Sequence, residues 1–218
     1  MTVAVSAQPA ERPGDLTPVS SQLARVPAPS AWWVLIAGVI GLLASMTLTV
    51  EKIKILLNSS YVPSCNINPV VSCGSVMVTQ ASVLGFLNSL LGLVGFTVVV
   101  VTGVLAVTKV SLPQWYWVGL TVGVLVGAAF VHWVIFQSLY RIGALCPYCM
   151  VVWAVTISLL VVVASIAFRP VLQPRETGLK TGIAQVLFQW RWSIAALWFT
   201  AVFLLIMVRF WNYWSTLL

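Results

Sequence analysis

The chain has 218 residues, of which 61% are hydrophobic and only 7% charged, with a formal net charge of +7. Soluble domains carry about 25% charged residues, so an ordinary water-soluble fold is excluded. The apolar runs are continuous and do not alternate, which excludes a strand-built membrane barrel.

Residues 1–30 read as a polar tail of Pro, Ser and Ala, expected to be disordered and cytoplasmic. No cleavable signal sequence is expected, because the first apolar run starts late and is long. That run, 31–50, is followed by four more at 83–107, 115–140, 145–168 and 192–208. Each is close to the roughly 20 residues that span a bilayer as a helix, and lipid obliges such a run to satisfy its own backbone hydrogen bonds. The expected fold class is an all-α integral membrane protein, a four-helix transmembrane bundle plus a fifth transmembrane helix. The bundle takes residues 31–168 with an outer loop at 58–82. A cytoplasmic connection, 169–191, leads to the fifth helix and a short outer tail, 192–218.

The basic residues lie in short connections and chain ends, so they point to topology and not to nucleic acid. With the amino terminus inside, Arg12, Arg25, Lys109, Arg169, Arg175, Lys180 and Arg191 fall on the cytoplasmic side. Lys52, Lys54, Arg141 and Arg209 fall outside, and the excess inside supports this orientation. Trp32, Trp33, Trp115, Trp117, Trp190, Trp192, Trp211 and Trp214 sit near the expected interfaces, where indoles are favoured. Glu51, beside Lys52 and Lys54, reads as a solvated helix end. Gly92, Gly95, Gly119, Gly123 and Gly127 read as points of close helix packing. His132, in the third span, reads as an interhelical hydrogen-bonding residue, with a functional role as the alternative.

This orientation collects all four cysteines on the outer face, where disulfides are permitted. Cys65 and Cys73 lie in the 58–82 loop, with Asn66, Asn68 and Pro69 between them, so this pair is expected to flex and reach. Cys146-Pro147-Tyr148-Cys149 opens the fourth span. Proline suits a first helical turn, exposed N–H groups there favour a thiolate, and the three-residue offset puts both sulfurs on one face. One fixed and one mobile pair fit an electron relay working by thiol–disulfide exchange. Two structural disulfides in a membrane scaffold remain open, although a CxxC bridge closes too short a loop to remove much chain entropy. A four-cysteine zinc site fits only its CxxC half. A thiol transporter carrying electrons outward would need a cysteine at mid-membrane or inside, and the sequence has none.

The order Cys65, Cys73, then Thr79, then Gly85-Phe86-Leu87-Asn88-Ser89-Leu90-Leu91-Gly92, then Cys146–Cys149 resembles the vitamin K epoxide reductase family over roughly residues 32–168. Its bacterial members are disulfide-generating quinone reductases. DsbB, the other quinone-linked disulfide generator, has its CxxC in the first outer loop and its spaced pair in the second, the reverse of this chain. The resemblance implies that Cys65 and Cys73 exchange with a separate thioredoxin-like (DsbA-like) partner, and that electrons pass from Cys73 to Cys146. Cys149 then delivers them to a quinone of the menaquinone, ubiquinone or vitamin K type. Thr79, Asn88 and Trp153 are the implied quinone-contact residues. Thr79 stands where the family often has Ser, Asn88 where many bacterial members have Pro, and Trp153 where the vertebrate enzymes have Tyr. Many bacterial members carry a thioredoxin-like domain after a fifth helix; this sequence ends at Leu218, so the partner is expected to be a separate protein. Asn88 would donate to a quinone carbonyl or, failing that, to a neighbouring helix. Trp153, one turn below Cys149, would stack on the ring or simply pack.

Overall fold

The computed structural model describes residues 26–58, 60–68, 70–80, 87–169 and 189–215; for Val78, Thr79, Gln80, Leu87, Asn88, Asn212 and Trp214 it describes the backbone alone. Among the described residues every regular element is helical: α1 (Ala28–Leu57), α2 (Cys73–Gln80), α3 (Leu87–Val107), α4 (Gln114–Phe136), α5 (Pro147–Ala167), α6 (Arg191–Arg209) and α7 (Trp211–Trp214). Five of these helices, α1, α3, α4, α5 and α6, are long and apolar enough to cross a membrane, α4 together with the turn that continues it. The expected all-α membrane architecture therefore stands.

The bundle is built on α1, which packs against both α3 and α5, while α5 packs against α4. Small residues let α1 and α3 approach. A Cβ on Gly103 would lie 2.6 Å from the Leu35 backbone, and one on Gly41 would meet the Phe96 ring at 2.3 Å. The core along this seam contains Val34, Ala37, Phe96 and Val99, continuing to Trp117, Leu159 and Val163. Trp117 is fully buried, so it is a core residue and not the interfacial anchor expected; Trp32, Trp33, Trp115, Trp190, Trp192 and Trp211 are exposed as expected. At the end of the bundle away from the cysteines, the Thr102 and Tyr116 hydroxyls meet at 2.6 Å and the Gln114 amide donates to the Ala167 carbonyl.

Two departures from the expected spans shape the cysteine end. First, α1 runs 30 residues, about 45 Å at 1.5 Å per residue, against a hydrocarbon core of about 30 Å. It continues because its last turns are covered by the loop that follows. Glu51 and Lys52 are therefore buried, at 5% and 7% exposure, which corrects the reading of a solvated helix end. Second, α4 does not stop but widens into a π-helical stretch, Gln137–Ile142. It ends at Gly143, whose φ of 69° is a left-handed conformation that glycine adopts freely.

The fifth spanning helix, α6, is the least embedded. It is attached by two polar ties at different depths. Trp198 Nε1 donates to His132 Nε2 at 2.8 Å, while His132 Nδ1 lies 2.7 Å from the Ala128 carbonyl. Arg209 Nε donates to the Leu139 carbonyl at 3.0 Å, within the π-helical stretch. His132 thus has the interhelical role expected of it.

Candidate active site

The segment between Cys65 and Cys73 is not a free loop. Asn68 Oδ1 accepts from the N–H groups of Val70 and Val71. Asn66 Oδ1 accepts from the Gly74 N–H and the Ser72 hydroxyl. Short asparagine side chains close turns in this way. The segment also pairs with the chain just before α5: Leu145 N–H donates to the Val70 carbonyl at 2.7 Å, and Ser72 N–H to the Leu145 carbonyl at 2.9 Å. This parallel bridge between Val71 and Leu145 sets Cys73, two residues beyond Val71, beside Cys146, one residue beyond Leu145.

Glu51 anchors the near side of the same segment. Its Oε1 accepts from Ser64 Oγ at 3.3 Å and Tyr61 Oη at 3.4 Å, with Lys54 Nζ at 3.6 Å. Lys52 Nζ donates to the Met77 carbonyl in α2 at 2.6 Å. The expected flexing pair is instead held from both sides, with Cys65 at 5% and Cys73 at 0% exposure. The described residues between the two cysteines form a loop, as expected, but a tied one: Cys73 starts a helix of its own, α2, and Asn66 and Asn68 use their side chains closing turns.

Cys65 and Cys73 form a disulfide, with Cα atoms 5.6 Å apart. Cys146 and Cys149 are free. Cys146 is the N-cap of α5, with Pro147 in its first turn, as the CxxC pattern leads one to expect. Cys146 Sγ lies 3.1 Å from Cys73 Sγ. An S–S bond is about 2.05 Å, so exchange between these sulfurs needs a closure of only about 1 Å. Cys146, just outside the span, has its thiol held below the usual range by a hydrogen bond from the Cys149 thiol; burial works against this and the N–H groups of Cys149 and Tyr148 assist it.

Beneath the sulfurs lies a cavity of about 680 Å³, within the roughly 300–1,000 Å³ typical of ligand sites. Cys149 and Trp153 of α5 are in its wall, with Lys52, Val76 and Met77 at the cysteine end. Trp153 is 4% exposed. The lining on α4 runs from Trp115 to Val134, roughly 28 Å along the helix at about 1.5 Å per residue. Leu91, Val98 and Val126 are both lining and exposed, so the cavity opens sideways between α3 and α4.

Glycine makes this space. Gly95, Gly119 and Gly123 line the cavity, and a Cβ on any of them would find nothing within 4 Å; Gly127 has only Thr156 Cγ2 at 3.9 Å. Of the five glycines read as packing points, only Gly92, with Ser45 Oγ at 2.7 Å, permits a close approach. The Thr79 and Asn88 side chains lie outside the described residues. Sequence reasoning missed Lys52, because a lysine next to Glu51 and two residues from Lys54 carries no signal of burial until the loop folds over it.

A model of the vitamin K epoxide reductase family matches residues 32–164, more than half of the chain. No curated protein matches it.

Proposed function

This chain belongs to the vitamin K epoxide reductase family, which makes it an oxidoreductase of disulfides and quinones, and from that premise we propose how its four cysteines divide the work. A separate thioredoxin-like (DsbA-like) protein, reduced after oxidising its own substrate, gives up two electrons to the Cys65–Cys73 disulfide. A partner disulfide forms and the loop pair becomes two thiols. Cys65 is the sulfur such a partner would attack, being the less deeply buried of the two. The Cys73 thiolate then attacks Cys146 of a Cys146–Cys149 disulfide, and Cys65 resolves the mixed disulfide. This leaves the loop oxidised and the CxxC pair reduced, the arrangement found here.

The remaining step is a transfer to a quinone, the oxidant that accepts two electrons and two protons. Both come from Cys146 and Cys149 as they close into a disulfide, so the exchange balances without another reductant. The cavity fits such a group. It is mostly apolar, reaches Cys149, and is long enough to take a ring near the sulfur and a prenyl tail along α4. Trp153 would flank the ring, and we retain Asn88 and Thr79 as proposed contacts on the strength of the resemblance. The proposed quinone is of the menaquinone, ubiquinone or vitamin K type, all of which enter from lipid; the lateral opening suits that route. We place the cysteine end on the outer face of the membrane. Seven basic residues assigned by connectivity to the opposite side favour that orientation, and one of the four at the cysteine end, Lys52, is buried and so withdrawn from the count of solvated charges.

The 3.1 Å approach of Cys73 to Cys146 carries this reading, since two purely structural disulfides would have no reason to meet. The test is purified protein in detergent, supplied with a reduced thioredoxin-like protein and a soluble quinone, with quinone absorbance followed. Wild type should turn over, and Cys149→Ser should abolish turnover while leaving the Cys65–Cys73 disulfide reducible by the partner. Quinone reduction by Cys149→Ser at the wild-type rate would remove Cys149 from the path.

A further inference from the structure

Among the described residues, Lys52 is a buried cation with one hydrogen-bond partner, at the end of a cavity that is otherwise nearly all apolar. Its ammonium has three N–H donors, and among the described residues one is taken, by the Met77 carbonyl at 2.6 Å. No described carboxylate lies within ion-pairing distance; Glu51, its neighbour in sequence, points to the other side and meets Lys54, Tyr61 and Ser64. The residue is 7% exposed and lines the same cavity as Cys149 and Trp153. Burying a charge without a counter-charge is costly, and a tie to one backbone carbonyl could be made by a neutral amide.

We propose that Lys52 is the cationic end of the quinone site, placed to hold the negative charge that builds on a ring oxygen as the ring is reduced. The inference rests on the quinone reading given above and deepens it. In the net step the two thiols lose two electrons and two protons as their S–S bond forms, and the quinone gains both. Lys52 is neither oxidised nor consumed. It offers the N–H donors that no described residue takes to the oxygen until the protons arrive, in a low-dielectric setting where a charge-assisted hydrogen bond is strong. Its fixing to Met77 ties that charge to α2, the helix that begins with Cys73.

The test is ligand binding, independent of turnover. A hydroxynaphthoquinone that is ionised at neutral pH and its neutral methoxy counterpart are titrated into the full-length protein in detergent, with quenching of tryptophan fluorescence as the readout. Wild type should bind the ionised compound about ten-fold or more tightly than the neutral one, as one charge-assisted hydrogen bond implies. Lys52→Gln, which keeps an N–H donor for the Met77 carbonyl, should lose that preference and still bind the neutral compound. Lys52→Arg should restore it. Equal binding of both compounds by wild type would overturn the proposal without any variant, as would an undiminished preference in Lys52→Gln, which would leave Lys52 a structural tie to α2. In those cases the quinone reading survives. If wild type bound neither compound, the quinone reading would fall and this inference with it.

Discussion

The cysteine end and the shaft of the bundle solve opposite problems. At the cysteine end, hydrogen bonds among the described residues fix the backbone: two asparagines close turns, a parallel bridge joins the loop to the start of α5, and Glu51 and Lys52 reach into the segment that covers them. In the shaft, between α3 and α4, side chains are missing where packing would want them, and three glycines face open space. Exchange between sulfurs demands position to within about an ångström, whereas a site for a lipid-soluble ring demands room. The fold supplies the first with hydrogen bonds and the second with glycine.

The largest effect expected follows from the precision of the cysteine end. In a Cys65→Ser, Cys149→Ser double variant, neither the loop pair nor the CxxC pair can close. Cys73 and Cys146, 3.1 Å apart, should then form a disulfide with each other in nearly all molecules under mild oxidation. Mass spectrometry of the digested protein would show the peptide containing Cys73 joined to that containing Cys146. If both thiols stayed free, or paired only between molecules, the contact would not be the route of exchange.

A smaller effect tests the room in the shaft. Gly119→Leu and Gly123→Leu add side chains where an added Cβ meets nothing within 4 Å. Each should leave thermal stability in detergent within about 1 kcal/mol of wild type, because nothing is overpacked. Both should raise the KM for quinone by about ten-fold, the equivalent of about 1.4 kcal/mol of lost binding. Gly103→Ala is the contrasting case. Its Cβ would lie 2.6 Å from the Leu35 backbone, so it should cost about 1–3 kcal/mol of stability with little direct effect on KM. If the two classes of glycine gave the same outcome, the division between packed seam and open cavity would be wrong.

This division also marks what the sequence makes legible. The five spans are readable because hydropathy over about 20 residues is a property of composition, and membership of a helix follows from it. Cys146 at the N-cap of α5 is readable because Pro147 and the CxxC spacing are local signals. Glycine is ambiguous: Gly41 and Gly123 look alike in a run of apolar residues, yet one receives the Phe96 ring and the other lines a cavity, a difference set by which helix stands opposite. Burial of Glu51 and Lys52 is equally non-local, since it depends on residues 60–80 folding back over α1. The pairing of Val71 with Leu145 joins positions 74 apart in sequence, and nothing in either segment alone announces it.

The smallest effect expected concerns α6, which lies outside the contrast between end and shaft and touches both. Trp198→Phe keeps an aromatic ring against α4 but removes the hydrogen bond to His132 Nε2. Interhelical hydrogen bonds in membranes are worth about 0.6 kcal/mol on average and up to about 2, so the thermal transition in detergent should fall slightly. Reduction of the Cys65–Cys73 disulfide by a small thiol should be unchanged, because that segment is held by Asn66, Asn68 and Glu51 and not by α6. The second tie, Arg209 to the Leu139 carbonyl, lies much closer to the cysteines, in the π-helical stretch that leads through Gly143 to Cys146. A change in loop reduction in Trp198→Phe as large as its change in stability would mean that α6 positions the sulfurs through both ties, and that the cysteine end is not the self-contained unit its hydrogen bonds describe.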